Sequence, residues 1–299
     1  MRVGAAFWFL LALTLSYIVL YPVVWLVATS LRRAGAGLPL GRIPLLDALL
    51  PMPRTLPGRA EETTYWLLLF RTKYLTFLRN SLVVAASTVS LAIAVGTPAG
   101  YALSRFRFPG RNKILWFFIL LNSMPGLITF IPLYRLLVHY DRALRTLGFP
   151  RGTVLGLGGL VLVYLAGAIP YTCWFLKTFF DTIPRDVDEQ ALIDGAGYTT
   201  IFFRIILPLS APGVATVGAL IFIGVWNEFM LASLLAVNEN HYTLPVFIIQ
   251  LRNEQYASTY GGVPAFAAAS LMASIPVIAL FAVAHRYLRA GLTMGSVKG

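Results

Sequence analysis

The chain has 299 residues, 58% of them hydrophobic and only 12% charged, with a mean hydropathy of +0.75 and a formal net charge of +12. That balance excludes a soluble globular domain and a disordered chain alike. The excess positive charge does not indicate a nucleic-acid partner, because the Lys and Arg residues are spread over tails and loops, where they suit lipid headgroups.

A helix needs about 20 mostly apolar residues to cross the ~30 Å hydrocarbon core. The first charge-free run, Val3–Leu31, meets that length. It far exceeds the roughly 7–15 apolar residues of a signal-peptide core, so it reads as an uncleaved first span with a kink expected at Pro22. Residues 32–79 follow as a long loop. Its first part is broken by prolines and must be irregular. Its second part, Tyr65 to Phe77, carries Trp66, Phe70, Tyr74 and Phe77 at three-to-four-residue spacing. That spacing fits an interfacial helix leading into the next span, or a helix packed on its neighbours.

Further charge-free runs are Asn80–Ser104, Ile114–Tyr134, Gly152–Leu176 and Gln255–His285, and a run from Ile205 to Val237 is interrupted by one acid, Glu228. The expectation is an all-α integral membrane protein with six transmembrane helices in one domain, residues 1–299, since open-ended spans in lipid must be helical. Within the second run, Gly96 and Gly100 form a small-xxx-small pair that can let two helices approach closely. Between the second and third runs, "RFRFPGRNK" (Arg105–Lys113) holds four positive charges, a density that favours the inside of the membrane and hence an internal N-terminus.

Catalytic chemistry is not visible. His139, His241 and His285 are far apart with no ligand pairing, so no metal is expected. The lone Cys173 rules out an internal disulfide and reads as a small apolar residue between helices. There is no G-x-x-x-x-G-K phosphate loop, and the "GLGG" cluster (Gly156–Gly159) suits helix contact better than a dinucleotide. No cofactor is expected on this chain.

The acids are unevenly placed: of 12 in the chain, five (Asp181, Asp186, Asp188, Glu189, Asp194) fall between residues 181 and 194. Pro184 suits a first helical position, Asp186, Asp188 and Glu189 suit the positive end of the dipole, and Gly195 and Gly197 suit a stop. The pattern predicts a short helix of about three turns, ~15 Å long, followed by a second from Thr199 to Pro208. Val187, Ala191 and Leu192 beside carboxylates fit insertion into a groove on another protein. A solvated interhelical connector fits the same residues.

"EQALIDGAGYTTIFFRIILPLSAPG" resembles the EAA loop of bacterial ABC importer permeases, with Gln190 where that pattern has an alanine. "LRNSL" (Leu78–Leu82), "YALSRFRFPGR" (Tyr101–Arg111), "WNEF" (Trp226–Phe229) and the terminal "GLTMGSVKG" are similar to the maltose-type sugar branch of that family. The resemblance implies a multi-pass permease of the bacterial inner membrane with cytoplasmic termini. Its loop, residues 178–212, would be a cytoplasmic coupling element contacting an ATPase through Glu189, Ala191, Asp194, Gly195, Ala196, Leu207 and Pro208. It also implies that Gly295, Val297, Lys298 and Gly299, in the tail 286–299, reach between the ATPase subunits. The implied partners are a second permease, two copies of a cytoplasmic ATPase that hold the ATP and Mg, and an extracytoplasmic sugar-binding protein. The cargo would be a maltose-, maltodextrin- or trehalose-like oligosaccharide.

A mid-span carboxylate costs roughly 2.5–3.5 kcal/mol on insertion scales, so Glu228 should face a cavity or a partner. Trp226, Asn227 and Glu228 therefore either line a translocation path or fix helix packing. An ion-coupled secondary transporter is the competing class, and it has only Glu228 among the spans to work with.

Overall fold

The computed structural model describes residues 2–32, 63–124, 126–150, 154–253 and 260–294, and every regular element among them is helical. In chain order the principal helices are α1 (Arg2–Ser30), α2 (Thr64–Arg71), α3 (Tyr74–Arg105), α4 (Arg111–Ser123), α5 (Gly126–Thr146), α6 (Leu157–Phe180), α7 (Asp186–Ile193), α8 (Tyr198–Ile201), α9 (Leu207–Leu209), α10 (Ala211–Trp226), α11 (Met230–Leu235), α12 (Leu244–Gln250) and α13 (Gly262–Met294). Four of them, α1, α3, α6 and α13, are long and apolar enough to cross a membrane, and the bent pair α8–α10 makes a fifth candidate.

The expected third crossing, Ile114–Tyr134, is not one helix. It breaks after Ser123, where Met124 takes ψ 129° ahead of Pro125. The proline ring disfavours the helical region for the residue before it, which is why the run divides here. At 13 residues α4 spans ~20 Å, short of the hydrocarbon core. The Ile205–Val237 run is also corrected: its span is α10, which ends at Trp226, and α11 follows as a separate short helix. Pro22 lies inside an uninterrupted α1.

The chain divides into two compact units. The first comprises residues 1–78 and 244–275. Thr64 Oγ1 donates to Ser30 O at 2.6 Å and Tyr65 OH to Ser30 Oγ at 2.7 Å, tying α2 to the end of α1. The Tyr65–Phe77 stretch is broken at Thr72, whose extended backbone separates α2 from α3. Of its aromatics, Tyr74 and Phe77 are buried against the ring of Phe247, while Phe70 is exposed. Packing therefore explains the second pair, while half-buried Trp66 lies against Phe70 and Arg71. Most of α1 is exposed, as a helix facing lipid or another subunit would be.

The second unit, residues 79–243 and 276–299, holds an apolar core of its own. Tyr101, Leu176, Phe180, Ala191, Ile201, Phe202, Ile206 and Val217 cluster there, drawing α3, α6, α7, α8 and α10 together. The α3–α6 contact depends on two glycines. A Cβ at Gly96 would lie 2.6 Å from Thr172 Cβ, and one at Gly100 would lie 3.0 Å from Cys173 O. The small-xxx-small pair thus sets a backbone-close seam, and Cys173 is buried in it as a small apolar side chain.

Candidate functional site

The acidic segment folds as α7, beginning at Asp186, so Pro184 precedes the helix and does not occupy its first position. Eight residues make it ~12 Å long, somewhat shorter than expected. Asp186, Asp188 and Glu189 lie in its first turn, complementing the dipole. Its end is a Schellman motif: Ala196 N donates to Ala191 O at 2.9 Å and Gly195 N to Leu192 O at 3.0 Å. Gly195 adopts φ +83°, the left-handed conformation the motif requires, whereas Gly197 is extended and opens α8.

One face of α7 points into its own chain. Asp188 and Ala191, three residues apart, are buried, and Ala191 and Ala196 pack on the core cluster. Ala191 therefore allows close approach to this chain's helices and is not part of the outward surface. Asp188 enters a polar lock at the end of α3. Tyr101 OH donates to Asp188 Oδ1 at 2.8 Å, and Arg105 Nε faces Oδ2 at 2.9 Å. That N–H is not aligned for a hydrogen bond, so the second contact is chiefly Coulombic. Both side chains are almost fully buried, Arg105 at 7% exposure and Asp188 at 9%. Arg105 also donates to Ile183 O at 3.1 Å, and Arg185 to Ser104 O at 3.2 Å.

A second lock lies beside it. Ser104 Oγ donates to Asp181 Oδ1 at 2.6 Å, and Lys177 Nζ meets Oδ2 at 2.6 Å. Partial burial pushes the Asp181 carboxyl up, but the hydrogen bonds from Lys177 and Ser104 and the charges of Lys177 and Arg111 outweigh it and hold the group below the usual carboxylate range. None of Tyr101, Arg105, Ser104 and Lys177 stands out as a site residue in the sequence. The Lys177–Asp181 spacing of four was legible there, but the α3 partners are 77 to 87 positions away from the acids they hold.

The opposite face of α7 is open. Glu189, Gln190, Leu192, Ile193, Asp194 and Gly195 are exposed, and Ile193 reaches 85%. Exposed Tyr198 and Phe203 continue this mixed apolar and acidic surface. After α8 the backbone widens into a π-helical turn, Phe202–Ile206, in which Leu207 N reaches back to Phe202 O. The turn lies just before Pro208, whose ring would crowd an α-helical carbonyl four residues back. The axis then bends by 72° into α10, with Leu207 half-buried and Pro208 exposed at the corner.

The Trp226–Asn227–Glu228 group sits at the break between α10 and α11. Glu228 Oε1 accepts from Leu231 N at 2.8 Å and Oε2 from Ala232 N at 3.1 Å, and Tyr164 OH on α6 donates to Oε2. The carboxylate thus caps α11 and joins it to α6. Trp226 is 3% exposed and stacks on Phe222 at 5.4 Å, leaving no open ring face on that side. Asn227 alone of the three is exposed, with its Nδ2 donating to Ile223 O at 2.9 Å. Gly295, Val297, Lys298 and Gly299 lie outside the described residues. No cluster of three metal-ligating side chains occurs among the described residues.

The profile of the family described as binding-protein-dependent transport system inner membrane component matches residues 92–293. The chain belongs to that family. This inner membrane component is 34% identical over 297 residues to the galactooligosaccharides transport system permease protein GanQ of Bacillus subtilis, covering 98% of this chain and 95% of the relative. It is 38% identical over 229 residues to the maltose/maltodextrin transport system permease protein MalG of Vibrio vulnificus, covering 75% and 73% of the two chains. Its fold matches a chain from the crystal structure of a bacterial ABC transporter that imports the acidic polysaccharide alginate. The TM-score is 0.74 at 23% identity, over 96% of this chain and 97% of that one. The matched segment contains α7, both locks and the α10–α11 break.

Proposed function

We propose that this chain is one of two permease subunits of an ATP-driven, binding-protein-dependent importer of oligosaccharides. The observation that carries the reading is α7: a helix closed by its own Schellman turn and locked on its inner face to α3 by Asp188. Its outer face, Glu189 to Gly195, stays exposed with a bare Ile193. Leu192, Tyr198 and Phe203 are exposed in the same segment, and apolar exposure gathered in this way marks a docking surface where a lone residue would not. In this reading α7 seats in a groove on the ATPase, the termini are cytoplasmic, and this chain binds no nucleotide. A binding protein delivers the sugar from the outside to a path shared with the second permease. Asn227 is the residue of its group available to that path, while Trp226 and Glu228 hold the helix break in place.

We take the cargo to be a di- or oligosaccharide, a reading supported by relatives named for galactooligosaccharide, maltodextrin and trehalose transport. The ion-coupled alternative gains no support from the geometry. Glu228, the acid it needs, already accepts from Tyr164 and two backbone N–H groups. The test is affinity purification from native membranes in mild detergent, with co-purifying chains identified by mass spectrometry. An ATPase subunit and a second permease should co-purify, with the ATPase lost on Glu189→Lys together with Gly195→Trp. Reconstituted uptake of labelled oligosaccharide that proceeds without ATP or a binding protein would refute the reading.

A further inference from the structure

Where α4 begins and α6 ends, the two helices enclose a cleft of about 230 Å³ that the coupling reading does not use. Its lining is graded along the helix axes. Asn112 in the first turn of α4, and Lys177 and Thr178 near the end of α6, bring polar groups to one end. Trp116 and Trp174, one turn further along each helix, form the next layer. Beyond them the outer face of α4 is apolar and uncovered, with Phe117 and Leu120 exposed and Trp116 at 70%. A polar mouth, a tryptophan belt and an apolar floor match the layers of a bilayer leaflet.

The mouth is positive on balance, with Lys177 and Arg111 against the carboxylate of Asp181. The segment Arg105–Lys113 carries four basic residues and no acid. Arg111 opens α4 one residue before the lining Asn112, and its charge reaches Asp181 beside Lys177. Lys177 gives one contact to Asp181, and an ammonium has three donors. A helix of another subunit would leave these cations facing apolar groups, and a soluble sugar would leave the apolar floor wet. An amphiphile with an anionic head satisfies both ends, and basic pockets between membrane helices are a recurrent setting for acidic headgroups.

We propose that this cleft is a binding site for an anionic phospholipid. Its phosphodiester contacts Lys177 and Asn112 with Arg111 beside them, and an acyl chain runs down the Trp116–Leu120 face. Because Lys177 also holds Asp181, and Asp181 holds Ser104 of α3, the headgroup sits at the root of the coupling loop. The inference requires only that the chain lies in a bilayer, not that it imports sugar.

The test uses the full importer complex reconstituted in mixed phosphatidylglycerol and phosphatidylcholine vesicles at low ionic strength. In one set the phosphatidylglycerol acyl chains are brominated, and in the other an equal mole fraction of phosphatidylcholine is. The fluorescence component lost on Trp116→Phe reports contact at the cleft. Brominated phosphatidylglycerol should quench that component roughly fivefold more effectively, the preference that one basic residue near an anionic surface confers. Either Lys177→Gln or Arg111→Gln should reduce the ratio toward one, so a folding defect in one variant does not decide the matter. Equal quenching by the two lipids, or no quenching of the Trp116 component, overturns the proposal. So does abolition of the preference by added inorganic phosphate, which would make the site one for a free anion.

Discussion

Replacing Arg105 with Gln would remove the cation that faces Asp188 while leaving the carboxylate buried beside Tyr101. Breaking a buried ion pair from one side costs about 3–5 kcal/mol, because the surviving charge has neither water nor a counter-charge. Asp188→Asn leaves Arg105 in the converse position and should cost a similar amount. If the two effects were independent, the double variant would lose about 6–10 kcal/mol by addition of those costs. It should instead lose little more than either single variant, since neither charge is then stranded. That gives a coupling energy of about 3–5 kcal/mol, at or above the top of the range for contacting residues. The assay is equilibrium unfolding of the purified chain in mixed micelles with rising denaturing detergent, followed by circular dichroism. Additivity within about 0.5 kcal/mol would refute the argument, as two independent sites behave that way. So would a single-variant cost below about 1 kcal/mol, the value of an exposed pair.

Further outcomes are expected at three positions. Gly195→Ala should destabilise the α7 turn by about 1–2 kcal/mol, the cost of the left-handed conformation for a residue with a Cβ. No neighbouring atom lies within 4 Å of that Cβ, so a bulkier Gly195→Trp should insert normally yet separate ATP hydrolysis from uptake, measured together in vesicles. Asp181→Asn should narrow the stability gap to wild type only in acid. The folded carboxyl titrates below its ordinary value of 3.8, so its contribution is complete above that pH and vanishes as pH falls through the lowered pKa; melting curves from neutral pH down to about 3 check the sign. Glu228→Gln should weaken the α10–α11 joint by about 1–3 kcal/mol through loss of charge-assisted hydrogen bonds, with solute preference unchanged in competition uptake. A changed preference would return Glu228 to the translocation path.

The apolar runs were legible because lipid imposes a length and an all-round hydrophobicity that single residues cannot disguise. The α4–α5 division was present in the sequence too, as Pro125 after an uncharged stretch, but a composition count passes over a residue whose effect is on backbone angles. The α7 turn was legible for the opposite reason: its signals, acids then glycine, are local. What the sequence did not disclose is which of three nearby acids points inward. Asp186, Asp188 and Glu189 all suit the first turn of α7, and only the position of α3 selects Asp188. Glu228 stayed open between a path and helix packing on the same ground, because what a mid-run acid faces depends on where the helix breaks.

The two locks and the glycine seam bear on how a push on α7 would reach the membrane. Asp188 fixes α7 to the last turn of α3, Gly96 and Gly100 press α3 onto α6, and Lys177 of α6 returns through Asp181 to Ser104 of α3. This closed loop of contacts leaves α7 little freedom to pivot independently of α3 and α6. On the proposed reading, motion of the ATPase would therefore be passed on as movement of these three helices together. The weak point is the other exit from the loop, where the π-helical turn and the 72° corner connect α8 to α10. Widened turns and corners of this kind bend at low cost compared with a packed seam. The α3–α6 pair, with α11 held to α6 through Glu228 and Tyr164, would then tilt as one piece while α10 changes its angle to them.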